Sequence, residues 1–595
     1  MKFAFKPIAI AAALAFIGTA AVASPMKPGT YTAKVNGHNA PLTVEVTVDA
    51  NKILSIKTPD DQESLGVGKV GLKKTADNIL RYQSIGVDAV TGATFSSNAL
   101  KEGVEKCLKQ AGADMKQFTR KAEKHPIHNR TYQADVVVIG GGGAGLASAI
   151  SSMQAGAKKV IVLEKLGYVG GSTNVSEGAL NAVDDQRQKA QGIKDSYETF
   201  YETTMHGGHD KGDPTLVRFL TSHSMDAVNW LESLGVKFND HIGAATGSLG
   251  QRSHYPATPY GNTYIRTFEK VIADSNGKIQ VLLDTPAVKL IQNKSGRVVG
   301  VVGNNFGSKV TVMAKDGVII ATGGFGANVA YRQKVNTGVW KNIKLDNSIG
   351  CTNIQKAAQG QGLFLAQKVG AKLIGLSDIQ IHPCGTPGTG LMENIRTSGR
   401  NRIFVNSDGN RFVNEGAARD VLANAIFQRK GRTYWIVVNK LRYPTPDFKD
   451  RMGASIRNME ALGAVVEAPT LDELAKKTGM NAENLKKAIA DYNAVVSGKA
   501  KDKLGFVANN KDDKQMTEGP WYACRKVPTV HHTMGGIKIN VKSQVINTKG
   551  KVIPGLYAVG EVTGGIHGSN RLGGNAIADI MTFGHAVGPH IVQGK

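Results

Sequence analysis

The sequence predicts an α/β protein: a doubly wound, mostly parallel sheet that carries an inserted α+β capping domain and is preceded by a small α+β domain. Three runs predict it. Val136-Val137-Val138-Ile139 breaks into the glycines of residues 140–145 and resumes as an apolar helix over 146–150. Val318-Ile319-Ile320-Ala321-Thr322 ends in Gly323-Gly324, and Leu556-Tyr557-Ala558-Val559 ends in Gly560 near the C-terminus. Buried strands that end in glycine turns, with the last so far along the chain from the first, read as one sheet interrupted by an insertion.

In chain order, residues 1–23 carry Lys2 and Lys6, an apolar run over 8–17 and the small-x-small Ala21-Val22-Ala23, the pattern of a cleaved signal peptide. The run is short against the about 20 residues of a bilayer span, so a soluble exported protein is expected, periplasmic and without stable membrane insertion. Residues 24–116 make the small domain. Leu42, Val44, Val46 and Val48 alternate with polar residues, and 53–56 return as a hairpin partner. Leu100, Val104, Cys107, Leu108 and Ala111 fall on one helical face. Residues 117–132 are polar and basic and read as a linker. The large unit then runs over 133–376 and 522–595, with the capping insertion at 377–521.

Composition narrows the function classes. A net charge of +25 would suit nucleic acid, but the Lys and Arg residues are spread out, and export excludes that partner. A basic surface suits an anionic substrate or an acidic redox partner instead. The four cysteines, Cys107, Cys351, Cys384 and Cys524, form no Cys-x-x-Cys or Cys-x-x-Cys-His pattern. Free buried thiols are expected, with no haem attachment and no metal site.

Gly140, Gly142 and Gly145 have the spacing of a dinucleotide-binding turn, where backbone N–H groups and a helix N-terminus receive a pyrophosphate. The next apolar run, 160–163, ends in Glu164, placed to accept from a ribose hydroxyl. Gly170-Gly171-Ser172-Thr173-Asn174 and Gly178 suit a loop lying against the cofactor. The cofactor at this stage is open between NAD and FAD.

Asp88-Ala89-Val90-Thr91-Gly92-Ala93-Thr94-Phe95-Ser96-Ser97 reads, on chemistry alone, as a glycine turn with hydroxyls that cap a helix. It also resembles the flavinylation motif of small FMN-binding domains in exported electron-transfer proteins. The resemblance implies that a flavin transferase attaches FMN covalently to Thr94 through a phosphoester.

His531-His532-Thr533-Met534-Gly535-Gly536 and Asn570-Arg571-Leu572-Gly573-Gly574-Asn575, with the turn at Gly140, resemble the flavoprotein subunits of the fumarate reductase and succinate dehydrogenase family. The likeness is greatest to its soluble exported members. It implies FAD, held noncovalently because no histidine stands in Gly170-Gly171-Ser172-Thr173, with Gly323, Gly324, Gln361, Glu561, Ala576 and Ile577 among its contacts. It further implies that His531 and Arg571 bind a substrate carboxylate. Gln380-Ile381-His382-Pro383 places His382 at the substrate's far end, and Arg419 is the proton donor. Fully deprotonating an ordinary Arg at pH 7 costs about 8 kcal/mol, so transfer must be concerted and followed by reprotonation through a relay.

The sequence departs from that family after Met392. Asn394 and Ile395 stand where Thr and Glu are expected, and Ser398 replaces an Arg. Glu393 or Arg396 is the candidate for the relay, and Arg396 reads equally as a second anion site or as a solvated residue. Relatives that reduce urocanate, methacrylate, acrylate or cinnamate-like acids vary this region.

The expected function is reduction of the C=C bond of an α,β-unsaturated carboxylate, with electrons from a membrane-linked quinol-oxidising cytochrome or another donor passing from FMN to FAD. The alternatives are a dehydrogenase or oxidase of a saturated acid or ketone running the site in reverse, and a non-enzymatic flavin electron carrier.

Overall fold

The computed structural model describes residues 25–121, 125–258, 260–508 and 512–594, and the expected signal segment lies outside them. The N-terminal unit is an antiparallel sheet of β1 (Gly29–Asn36), β2 (Pro41–Val48) and β3 (Ile53–Lys57), covered by α1 (Gly68–Tyr82) and α2 (Thr94–Gln110). The alternation in β2 explains the packing. Leu42, Val44, Val46 and Val48 point inward against Leu100, Val104, Cys107 and Leu108 of α2. The four cysteines are free and buried.

The large unit begins with β4 (Arg130–Ile139), inside the stretch expected as linker, and continues through α3 (Gly143–Gln154), β5 (Val160–Leu163), β6 (Ile279–Leu282) and β7 (Ser308–Ile320). A cap follows, made of β8 (Ile379–Gly385), β9 (Arg402–Val405), α4 (Arg419–Phe427), β10 (Tyr434–Asn439), β11 (Val465–Ala468) and β12 (Trp521–Thr533). The chain then returns through β13 (Gln544–Ile546), β14 (Val552–Ala558) and α5 (Asn575–Gln593).

The main sheet has the path β13-β14-β7-β4-β5-β6, parallel except β13, and residues 298–305 and 287–292 add two antiparallel strands beside β7. Residues 136–139, 160–163 and 318–320 are buried without alternation, because both faces of a parallel sheet are covered. On one face α3 packs against α5, where Gly584 and Gly588 allow contact with Ala147 and Ser151. The cap sheet has the order β8-β12-β10-β9, and β11 also pairs β12. Its register sets Gln380 opposite His532 and His382 opposite Thr529. By its hydrogen bonds β12 belongs to the cap along its whole length, so the strand that carries His531 links cap and main unit.

Candidate active site

The turn after β4 leaves no room for side chains beneath it. A Cβ on Gly145 would lie 1.8 Å from the Gly140 carbonyl oxygen, so helix α3 approaches the strand end only with glycine there. Above the turn the space is open: a Cβ on Gly142 or Gly323 meets nothing within 4 Å. The resulting cleft is bordered by Gly140, Gly142, Glu164, Ser172, Thr173, Gly323, Gly324, Gln361 and Glu561. A glycine floor at a helix N-terminus with open space in front fits the pyrophosphate of a dinucleotide. The other positions read from the sequence lie back from it. Gly145 lies under the turn, Gly178 packs on Tyr260 and Gly261, and Ala576 and Ile577 begin α5, from which Ile580 reaches the cleft instead.

Glu164 is more occupied than its expected ribose role implies. Its carboxylate accepts from Gly141 N at 2.6 Å and Leu166 N at 2.7 Å, so it also holds the turn in place. Burial raises its pKa while these bonds lower it. A ribose hydroxyl would share the remaining lone pairs. Glu561 on the opposite wall is pushed by burial to about 7, against the N–H of Thr533 at 3.0 Å.

At the far end of the cleft the structure gathers His382, His531, Arg419 and Arg571 from four segments. The His382 and His531 rings lie 4.7 Å apart between centroids. Burial, then the neighbouring arginines for His382 and the neighbouring histidine and arginines for His531, holds both pKa values well below the usual range, so the imidazoles are neutral. The Cys384 backbone N–H donates to His382 Nδ1 at 3.1 Å, which leaves the proton on Nε2 as a donor. Thr352 Oγ1 lies 2.6 Å from His531 Nδ1 and orients that ring.

Arg419 and Arg571 are 7% and 4% exposed, and among the described residues neither makes an ion pair. Arg419 donates from Nε to Thr246 O at 3.1 Å and from Nη1 to Gln380 Oε1 at 3.0 Å. Gln380 in turn donates to the Arg571 carbonyl at 2.7 Å, so one amide holds both arginine segments. Arg571 donates to Leu572 O at 3.0 Å, and its Nε has no partner among the described residues. Burial lowers the Arg419 pKa to about 10. Deprotonation at pH 7 then costs about 4 kcal/mol, half the figure for an exposed arginine. Two buried cations with no direct ion pair, and only more distant carboxylates to oppose them, form a site that suits an anion.

The stretch after Met392 is arranged differently from what its residue types imply. Ile395 is buried in the cap core, which explains the apolar residue there. Asn394 takes a left-handed φ of 60°. Glu393 meets His38 of the N-terminal unit at 2.9 Å and makes no contact with Arg419. Arg396 lies 3.6 Å from Glu177, to which Ser398 also donates at 3.0 Å. Glu177 carried a signal only in its place one residue before Gly178, and Gln380 lay unassigned within a motif. Among the described residues no group of three or more His, Cys, Asp and Glu is arranged to hold a metal ion.

The FAD binding domain family matches residues 135–577, three quarters of the chain and all of the cleft just described except Ile580. The chain belongs to the FAD binding domain family. Residues 37–109 match the FMN-binding domain. Relatives agree. A urocanate reductase of Eggerthella lenta is 34% identical over 94% of this chain and 91% of its own length. An NADH:acrylate oxidoreductase of Vibrio harveyi is 34% identical over 94% of this chain, which spans 61% of that longer protein. Among solved structures, the open conformation of a flavocytochrome c3 fumarate reductase is 34% identical, covers 78% of each chain and has a TM-score of 0.63. The chain is a flavin-dependent oxidoreductase of the CH–CH class.

In this flavoprotein the FMN-binding domain rests on the rim of the FAD cleft. Val90 and Ala93 pack on Leu166 and Tyr168, with Ile354 and Ala357 alongside, and the Tyr168 hydroxyl donates to Gly92 O at 3.1 Å. Leu166 and Ala357 also line the cleft, so one layer of side chains separates the two flavin domains. Lys74 donates to the Gly167 carbonyl across the same seam. Thr94 is exposed as the first residue of α2, and no side chain caps that helix. Ser97 instead accepts from Val90 N at 3.2 Å, and Ser96 donates to Glu63 at 2.7 Å. The hydroxyls after Thr94 thus brace the turn, and the helix N-terminus beside Thr94 is open to a phosphate. Among the described residues no helix is long and apolar enough to cross a membrane.

Proposed function

We propose that this protein is a periplasmic reductase of the C=C bond of an α,β-unsaturated carboxylate, such as fumarate, urocanate, methacrylate or acrylate. The observation that carries the reading is the pair of buried arginines without a direct ion pair, gathered with two neutral imidazoles. The activities named for two relatives, an NADH:acrylate oxidoreductase and a urocanate reductase, support the same class.

FAD held over the turn at residues 140–145, with Glu164 and Glu561 on its walls, would supply hydride chemistry, two electrons with the hydride, for the β-carbon. Arg571 grips the substrate carboxylate as a fork, and His531 donates beside it. Both stabilise the negative charge that develops on the α-carbon and carboxylate, in a site that excludes water. His382 donates from Nε2 to the far end of the substrate. Arg419, held by Gln380 and Thr246, gives its proton to the α-carbon.

FMN held covalently on Thr94 would supply the entry for electrons from a quinol-oxidising cytochrome or another donor. A flavin transferase installs that FMN during maturation. The closeness of the Thr94 turn to Leu166 and Ala357 supports this order of flavins.

A screen of unsaturated carboxylates against viologen-reduced protein tests the reading. Enoate-dependent reoxidation of viologen is expected, faster than dye-linked oxidation of the matching saturated acid. Reoxidation by oxygen alone, with no response to any enoate, overturns it.

A further inference from the structure

The reaction proposed above leaves Arg419 one proton short after each turnover, and residues 394–398 hold no carboxylate to restore it. The structure supplies one from elsewhere. Glu177, in the loop after the 3-10 turn Gly171–Val175, is nearly enclosed, its side chain 14% exposed. It accepts from Ser398 Oγ at 3.0 Å and lies 3.6 Å from Arg396 and 3.5 Å from Arg451. The Arg451 guanidinium stacks 3.8 Å above the ring of Tyr255 and is 44% exposed, so it reaches water. Tyr255 is buried with Ala179 and Ala245, and residue 246, next along, holds Arg419 through its carbonyl. The opposing groups that the Arg419 cation feels are Glu177 first and Tyr255 second. Contacts therefore run from the surface at Arg451 to Glu177 and to the Tyr255 ring, whose segment carries on to the residue that holds Arg419, and they join segments that share no motif.

We propose that Glu177, with Arg451 on its solvent side and Tyr255 on its inner side, is the relay that returns the proton to Arg419. This rests on the reductase reading above. The proton balance is closed. Arg419 loses one proton to the α-carbon and regains one through the Tyr255 hydroxyl and Glu177. Glu177 is replenished through Arg451, and Arg451 draws from water. The net change is one solvent proton on the α-carbon, with no electrons moved by these residues. Arg396 and Ser398 hold the carboxylate in place, which gives the residues of the divergent stretch a positioning role.

The test is Glu177→Gln, which keeps shape and removes the acid, beside Arg451→Gln and Glu177→Asp. For Glu177→Gln, kcat for enoate reduction should fall on the order of 10²-fold or more, the range of a lost proton-transfer group, with KM within about twofold. The solvent deuterium isotope effect on kcat should rise, and Glu177→Asp should recover part of the rate. Arg451→Gln at the surface should fall about 10²-fold, the lower edge of such losses. Binding of the saturated product acid, read from flavin absorbance without turnover, should be unchanged in all three variants. Wild-type kcat in Glu177→Gln, or a loss confined to KM and to product-acid binding, overturns the relay while the reductase stands. A wild-type protein that reduces no enoate overturns the function and the relay together.

Discussion

His38 Nε2 lies 2.9 Å from Glu393 Oε1, which joins the FMN-binding domain to the loop that follows the His382 strand. The His38 ring also rests against Phe95, the neighbour of Thr94, at 5.5 Å between centroids. The turn that carries Thr94 and the loop that carries Glu393 are thus one residue apart through His38. Burial pulls the His38 pKa down, but the hydrogen bond and charge of Glu393, with Asn39 and Glu63, raise it to about 9.

A raised histidine pKa stabilises most below the unfolded value of about 6.5, and the contribution is lost as pH rises through about 9. His38→Ala should therefore cost about 1 kcal/mol near pH 6 and almost nothing near pH 10. Thermal unfolding of both proteins at the two pH values checks it. An equal cost at both values would assign the effect to packing on Phe95 alone.

Arg419 and Arg571 should separate in kinetics. Arg419→Ala should lower kcat by roughly 10²- to 10⁴-fold with substrate still bound, since only the proton transfer is lost. Arg571→Lys keeps the charge but loses the fork, and should raise KM by about 10-fold or more, about 1.5 kcal/mol or above. Steady-state kinetics with viologen as donor distinguishes the two.

Thr94→Val should leave the denatured protein lighter by one FMN while the noncovalent FAD remains. Mass spectrometry after unfolding reads the first, and the absorbance of the released flavin reads the second. Covalent flavin persisting in the variant would move the attachment site elsewhere.

Gly145→Ala should weaken FAD binding. The added methyl would sit 1.8 Å from Gly140 O, so the turn itself must move. A strain of about 1 to 3 kcal/mol at the pyrophosphate site should lower the bound FAD several-fold. The ratio of flavin to protein after gel filtration measures it.

The sheet, and the four side chains that the structure gathers beside the cleft, were readable in the sequence. Continuous apolar runs broken by glycine have one use in a parallel sheet, and residues 136–145, 318–324 and 556–561 announced it. His382, His531, Arg419 and Arg571 were each legible because each lies in a short contiguous motif. The tertiary structure decided everything that depends on pairing between distant segments. Glu393 and Arg396 looked alike as relay candidates, yet the fold turns one to His38 and the other to Glu177. Gln380 gained its meaning only when β8 brought its amide between Arg419 and the Arg571 segment. The contact of Ala93 with Leu166 and Ala357 depends on how two cores meet, which periodicity within either one does not encode. Burial and charge partners set the chemistry of a side chain, and both are properties of the packed molecule.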